Sequence, residues 1–210
     1  MNEPAYPAAL AELMELLRTL PGIGKRSAER MALCLYQWDE SRRLILAENL
    51  QSLSQRICHC RECGNLAEAG EKDICGICAS PLRDHSVICV VEEATQIRTI
   101  ESGGVFKGVY HVLGGRIAPL EGKGIESIRL ELLDQRLADD TVKELILALS
   151  PDVEGQATAV YLAHRYQNKK LKLSRPAQGL PAGSDLSYAD PATIAVALNG
   201  RISFGQKKEE

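Results

Sequence analysis

Four cysteines, Cys60, Cys63, Cys75 and Cys78, stand as two Cys-x-x-Cys pairs with eleven residues between them. Thiolates at this spacing turn two sulfurs toward one ion. A second pair completes a tetrahedral shell with no position left for water, so the pattern predicts Zn²⁺ in a structural rather than catalytic role. The alternatives are two disulfides or four unrelated thiols. The residues Met1 to Tyr6 form neither a basic region followed by an apolar run nor a cleavage site, so a reducing cytoplasm is expected and disulfides are not. Cys58 and His59 directly precede Cys60 and are the competing ligands, although neither makes a two-residue knuckle. Between Cys60 and Asp84 the large apolar residues are Leu66, Ile74, Ile77 and Leu82. These are too few for a core, and metal binding must supply most of the segment's folding free energy. Cys34 and Cys89 sit in apolar patterns and are expected to be small core hydrophobes.

A second constellation lies upstream, in Leu20-Pro-Gly-Ile-Gly-Lys-Arg-Ser-Ala-Glu-Arg30. Gly22 and Gly24 allow a left-handed turn and leave no side chain between that turn and a ligand, so backbone N–H groups at the next helix's start can meet a phosphate. Lys25, Arg26 and Arg30 stand beside that point. The pattern is that of a helix-hairpin-helix, a sequence-tolerant binder of the DNA backbone; the alternative is a helical turn that uses glycine for geometry alone. Charge supports the first reading. From Arg18 to Arg61, eight basic residues face four acidic ones, a surplus of +4 on a chain of net charge −3, which leaves −7 for the remainder. A basic amino-terminal part on an acidic body points to a polyanion partner for that part.

The third constellation is acidic. Glu92 and Glu93 follow the apolar run Val87 to Val91 directly, at the carboxyl end of a strand, where open α/β sheets place their sites. Ser150-Pro-Asp-Val-Glu-Gly155 follows a second strand, so Asp152 and Glu154 come off the same edge. Convergence of Glu92, Asp152 and Glu154 would suit Mg²⁺, a hard cation that takes oxygen ligands. The alternative is that acids gather at loop edges because they are soluble.

The elements that must position these groups follow from periodicity. Apolar residues at three- and four-residue steps predict helices over Ala8 to Thr19, Ser27 to Tyr36 and Ser41 to Leu53, the last with Leu44, Ile45, Leu50 and Leu53 on its face. After Val87 strands and helices alternate. Strands are expected at Val87 to Val91, Val109 to Leu113, Glu144 to Leu149 and Leu171 to Leu173; helices at Thr95 to Ser102, Ile125 to Leu137 and Gly155 to Gln167. That alternation means a mostly parallel α/β sheet. A Gly/Pro-rich stretch, Pro176 to Ser187, precedes a last helix running from Asp190 or Pro191 to Leu198. At 210 residues and 45% hydrophobic content the chain can hold a real core. No stretch approaches the ~18 apolar residues that span a bilayer, so a soluble globular protein without a membrane partner is expected.

The order of these motifs resembles the bacterial RecR family of recombination mediators. The resemblance runs over nearly the whole chain, through the helix-hairpin-helix, the four-cysteine finger, a Toprim-like domain opening at Val90-Val-Glu-Glu, Tyr110-His-Val-Leu-Gly-Gly, Ser150-Pro-Asp-Val-Glu-Gly and Gly179-Leu-Pro-Ala-Gly-Ser-Asp-Leu-Ser-Tyr-Ala-Asp190. It implies a multi-part α/β protein. The expected division is a helical helix-hairpin-helix region at 1–56, a zinc finger at 57–84, a Toprim domain at 85–176 and a Walker B-like segment at 177–210. Carried over by position, Gly22, Gly24, Lys25, Arg26 and Arg30 would meet DNA, the four cysteines would hold zinc, and Glu92, Asp152 and Glu154 would form the Toprim acidic patch, with Mg²⁺ as a second cofactor to be tested.

The family's role is non-enzymatic. Members bind double- and single-stranded DNA, assemble as ring-like tetramers and act with RecO and RecF to load recombinase onto strands coated by single-stranded DNA-binding protein, in a cytoplasmic, nucleoid-associated setting. Three positions depart from the family pattern: Ser150 replaces an Asn, Gln156 replaces a second acid, and the gap between cysteine pairs is longer. No Gly-x-x-x-x-Gly-Lys-Ser/Thr occurs, so ATP hydrolysis is not predicted. The competing reading is a Mg²⁺-dependent Toprim nuclease or topoisomerase-like enzyme. That chemistry needs a nucleophile, a tyrosine or a metal-bound water, and none of the six tyrosines lies in a segment that can be set opposite the acids.

Overall fold

Two compact units divide the chain after Arg56, and the computed structural model describes residues 6–138 and 140–201. The outer ends of the first and last expected regions, 1–5 and 202–210, lie outside the described residues. In the first unit, α1 (Ala8–Arg18) packs on α2 (Lys25–Gln37), whose small Ala28 and Ala32 are fully buried. Next comes α3 (Glu40–Arg56). Asp39 opens it by accepting the Arg42 N–H at 2.9 Å, the bond that chiefly holds its carboxyl below the usual range. Arg42 stacks its guanidinium 3.8 Å over the Trp38 ring, and Arg43 donates to the Tyr36 and Trp38 carbonyls. Two of the eight basic residues thus hold the α2–α3 corner. The expected apolar face of α3 is not buried: Leu44, Ile45, Leu50 and Leu53 are all exposed. Cys34 is exposed as well, against expectation; the helix pattern is real but that position falls outside its buried stripe.

In the second unit, β1 (Ile57–His59) and β2 (Leu66–Glu68) form a small antiparallel pair. A four-stranded sheet follows, built from β3 (Asp84–Val91), β4 (Gly108–Val112), β5 (Glu144–Leu147) and β6 (Lys172–Ser174) in the order β4-β3-β5-β6. Every pairing is parallel, with Val90 opposite both His111 and Leu147. Between and after the strands lie α4 (Ala94–Ser102), α5 (Glu131–Arg136), α6 (Val153–Tyr166) and α7 (Pro191–Asn199). Alternation along the strands separates two cores. Ile88, Val90, Val109 and Leu145 pack with Leu133, Leu162 and Tyr166 on one face; Cys89, Val91, Tyr110 and Val112 pack with Ile97 of α4 on the other. The Val87 to Val91 run is therefore buried on both sides, as a central parallel strand should be. Cys89 is core, and burial pushes its thiol up to about 12.

The helix expected over Ile125 to Leu137 is broken. A single 3-10 turn spans Ile125–Ser127, Ile128 is extended at φ −126°, and α5 starts only at Glu131. Tertiary bonds override the helical period here: the Arg129 N–H donates to the Leu113 carbonyl at 2.7 Å, and the Arg129 carbonyl lies 2.8 Å from His111 Nε2. Extension lets Ile128 and Leu130 reach the same core as Leu133 and Leu137.

Candidate metal centre, nucleic-acid interface and acidic edge

Cys60, Cys63, Cys75 and Cys78 are all buried, and their Sγ atoms lie within 4.8 Å of one another. Tetrahedral Zn²⁺ with Zn–S bonds of ~2.3 Å puts sulfurs a little under ~4 Å apart, and Cys63 Sγ lies 3.6 Å from Cys75 Sγ. Backbone bonds shape both knuckles: Gly64 N–H donates to the Cys60 carbonyl at 2.8 Å, Ala79 N–H to the Cys75 carbonyl at 3.0 Å, and Cys75 N–H to Cys60 Sγ at 3.3 Å. The donor set fits a closed thiolate site. Cys58 and His59 lie outside it. Cys58 Sγ is 3.4 Å from Asp73 Oδ1, and His59 Nδ1 is 3.1 Å from the Gly64 carbonyl. Desolvation, with Asp73 beside it, raises the Cys58 thiol, which disfavours the thiolate that a ligand must be.

At the other candidate interface, the turn between α1 and α2 is closed by the Ile23 N–H on the Leu20 carbonyl at 3.2 Å. Gly22 takes φ +79°, and a Cβ built on Gly22 or Gly24 would meet nothing within 4 Å. Gly24 is the N-cap of α2 and offers no side chain to its amides, so no side-chain cap offsets the positive end of the helix dipole, the end that favours an anion. Lys25, Arg26 and Arg30 are exposed around that end. The arrangement brings together all five residues singled out in the sequence.

The acidic edge differs from a simple convergence. Glu92 is 6% exposed and spends both oxygens on Ser150, accepting its N–H at 2.9 Å and its Oγ–H at 2.7 Å. Asp152 caps α6 by accepting the Gly155 N–H at 2.8 Å. That bond, then the charge of Arg116, holds its carboxyl low. Arg116 also spans one oxygen of each of Asp152 and Glu154, Nη1 lying 2.6 Å from Asp152 Oδ2 and Nε 2.9 Å from Glu154 Oε2. Among the described residues the four cysteines are the only group of three or more His, Cys, Asp or Glu whose ligand atoms all lie within 4.8 Å. The three acids are therefore neighbours without forming one ligand cluster. A cleft of about 600 Å³ beside them is lined by Glu92, Glu93, Gln96, Arg116, Lys123 and Ser127 among others, with no tyrosine or cysteine in its wall.

Comparison with known proteins settles the family. The models described as "RecR, helix-hairpin-helix", "Toprim domain" and "RecR, C-terminal" match residues 10–53, 86–177 and 179–202. The chain is 47% identical to Recombination protein RecR of Acidothermus cellulolyticus over 93% of its own length and 97% of that protein's. The chain belongs to the RecR family. The same holds against Recombination protein RecR of Streptomyces avermitilis, 45% identical over 93% and 97% of the two chains, and of Clavibacter michiganensis subsp. michiganensis, 44% identical over 96% and 100%. In this RecR-family chain the helical amino-terminal region, the buried four-cysteine group and the parallel Toprim sheet match the fold read from the sequence.

Sequence reasoning missed Arg116 and noted Ser150 only as a departure from the family pattern, without its role beside Glu92. Both sit just past strands, Arg116 after the Gly114–Gly115 turn that follows β4 and Ser150 after β5, and position at the carboxyl ends of parallel strands is the signal that singles them out. Asp190, in the RecR carboxyl-terminal segment, was legible: it caps α7 through the Thr193 N–H at 2.9 Å and Oγ–H at 2.6 Å.

Proposed function

We propose that the protein is a DNA-binding recombination mediator rather than an enzyme. The observation that carries this reading is the uncapped α2 N-terminus behind Gly22 and Gly24, flanked by exposed Lys25, Arg26 and Arg30. It offers backbone donors and charge to phosphates, contacts that carry no sequence information, so binding is sequence-tolerant and serves both double- and single-stranded DNA. Family membership supports the rest. The protein acts with RecO and RecF to load recombinase on single strands coated by single-stranded DNA-binding protein, as a ring-like homotetramer in the cytoplasm at the nucleoid. The regions 1–56, 57–84, 85–176 and 177–210 act as DNA-binding region, zinc finger, Toprim domain and Walker B-like segment. Zn²⁺ is the ion of the four-cysteine site, because a closed thiolate shell suits a structural metal.

Of the acidic patch Glu92, Asp152 and Glu154, the exposed Asp152 and the partly exposed Glu154 face the partner, while buried Glu92 is held by Ser150. Against the nuclease or topoisomerase reading stand the commitment of these acids to Ser150 and Arg116 and a cleft wall without tyrosine. Reconstitution of recombinase loading tests the proposal. With RecO present the protein should speed recombinase assembly on coated single strands, the Lys25→Ala, Arg26→Ala, Arg30→Ala triple variant should not, and no strand should be cut in Mg²⁺. Loading that is indifferent to the triple variant, or cleavage lost on Glu92→Gln, would overturn it.

A further inference from the structure

A Toprim fold implies Mg²⁺ at its acidic edge, and the residues of this chain do not fit that ion. Mg²⁺ demands near-octahedral oxygen ligands at ~2.0–2.1 Å and surrenders its waters reluctantly. Here four of the six oxygens of Glu92, Asp152 and Glu154 already accept hydrogen bonds from Ser150, Gly155 or Arg116, and a fifth, Glu154 Oε2, is ion-paired with Arg116 Nε. Glu92 is turned toward Ser150, and Gly155 packs so close behind that a Cβ there would lie 3.0 Å from Glu92 Oε1.

We propose that Arg116 is a built-in counter-ion that takes the place of a divalent cation and closes the acidic edge to it. Its position is dictated by the chain on both sides. The Arg116 carbonyl accepts the Ser127 Oγ–H at 3.1 Å, and the next N–H, of Ile117, donates to Thr158 Oγ1 of α6 at 2.9 Å. The backbone is thus tied to α6, the helix whose first turn carries Glu154 and whose cap is Asp152. Guanidinium matches this use: it stays charged at every pH the protein survives, and its planar fork spans two carboxylates as a point charge cannot.

A tethered cation competes at a local concentration that free Mg²⁺ must exceed. The fork is nevertheless partly solvated, with the Arg116 side chain 40% exposed and those of Asp152 and Glu154 50% and 29%. Pairs of this kind add little to stability. Arg116 therefore controls which cation the edge accepts more than whether the domain folds.

Titration of the full-length protein with Mn²⁺, followed by electron paramagnetic resonance, tests this in the absence of DNA, so its outcome is separate from that of the mediator reading. Wild type should bind no Mn²⁺ that Glu154→Gln removes. Arg116→Gln should gain a site at least about tenfold tighter, which Arg116→Gln combined with Glu154→Gln abolishes, while Arg116→Lys, still cationic, stays near wild type. Wild-type binding that disappears in Glu154→Gln would overturn the proposal without need of the Arg116 variants. So would a folded Arg116→Gln protein that gains nothing.

Discussion

The backbone N–H of Val112 donates to the carbonyl of Cys63 at 2.7 Å. Val112 ends β4, the edge strand of the sheet, so the first cysteine knuckle covers a backbone edge that another chain could otherwise pair with. Gly64, next along, takes φ +76°, and a Cβ there would sit 3.0 Å from the Val112 carbonyl oxygen; Arg129 Nη1 reaches the Gly64 carbonyl at 3.5 Å. The four-cysteine cluster and the Toprim sheet are thus mechanically joined through Cys63, Gly64 and Arg129.

Gly64→Ala should lower unfolding free energy by about 1–2 kcal/mol from the left-handed backbone alone, and by more if the Val112 carbonyl cannot shift. Gly70→Ala, where a Cβ meets nothing within 4 Å, should stay within about 0.5 kcal/mol of wild type. Urea unfolding of both variants makes the comparison. Equal midpoints would remove the docking role.

Elemental analysis should find about one zinc per chain. Cys75→Ser should lose it and Cys58→Ser should keep it, since Cys58 Sγ faces Asp73 and not the other thiols. Chelation should lower the melting temperature as Cys75→Ser does.

His111 is fully buried, and loss of hydration there pulls its pKa down to about 4 against the opposing hydrogen bond to the Arg129 carbonyl, with the charges of Arg136 and Arg129 helping to lower it. Its Nδ1 has no partner, in keeping with a neutral ring that donates from Nε2 to the Arg129 carbonyl. The sign follows from linkage: between pH ~6.5 and ~4 the unfolded chain binds the proton and the native one does not, so stability rises with pH across that window. The contribution, on the order of 3 kcal/mol, is fully present above the ordinary histidine pKa and lost as pH falls toward 4. In urea unfolding at pH 7.5, 6 and 5, His111→Gln should show a shallower fall than wild type. Parallel slopes would refute the assignment.

Ser150→Ala should strip the Oγ donor from a carboxylate that is 6% exposed and cost about 1–3 kcal/mol. Gly155→Ala should cost at least as much, because its Cβ would fall 2.2 Å from the Ser150 carbonyl oxygen. Thermal melts of the two variants test the clamp.

Local signals made much of this legible. Two cysteine pairs mark residues that meet in one buried thiol cluster, Gly22 with Gly24 marks a turn before a helix, and the Val87 to Val91 run reads as a buried strand. Failures came where tertiary bonds decided the outcome. Ile128 is extended because Leu113 and His111 hold Arg129, which no period in the segment reveals. Apolar spacing in α3 gives its helix but not what covers Leu50, which stays 66% exposed. At the acidic edge, residue types left Mg²⁺ and a merely soluble loop edge both open, and the partners that hold those acids, Arg116 and Ser150, lie 36 and 58 positions away from Asp152 and Glu92 respectively.

The central claim, phosphate binding at the start of α2, is tested most directly by the salt dependence of duplex DNA affinity. Removing one side chain that pairs with a phosphate should reduce the slope of log K against log salt concentration by about 0.9. Single Ala variants of Lys25, Arg26 and Arg30 should each flatten the slope by about that amount on any sequence, and the triple variant by about the sum, with melting temperatures unchanged. A triple variant that binds duplex with the parent's affinity and slope would contradict the account.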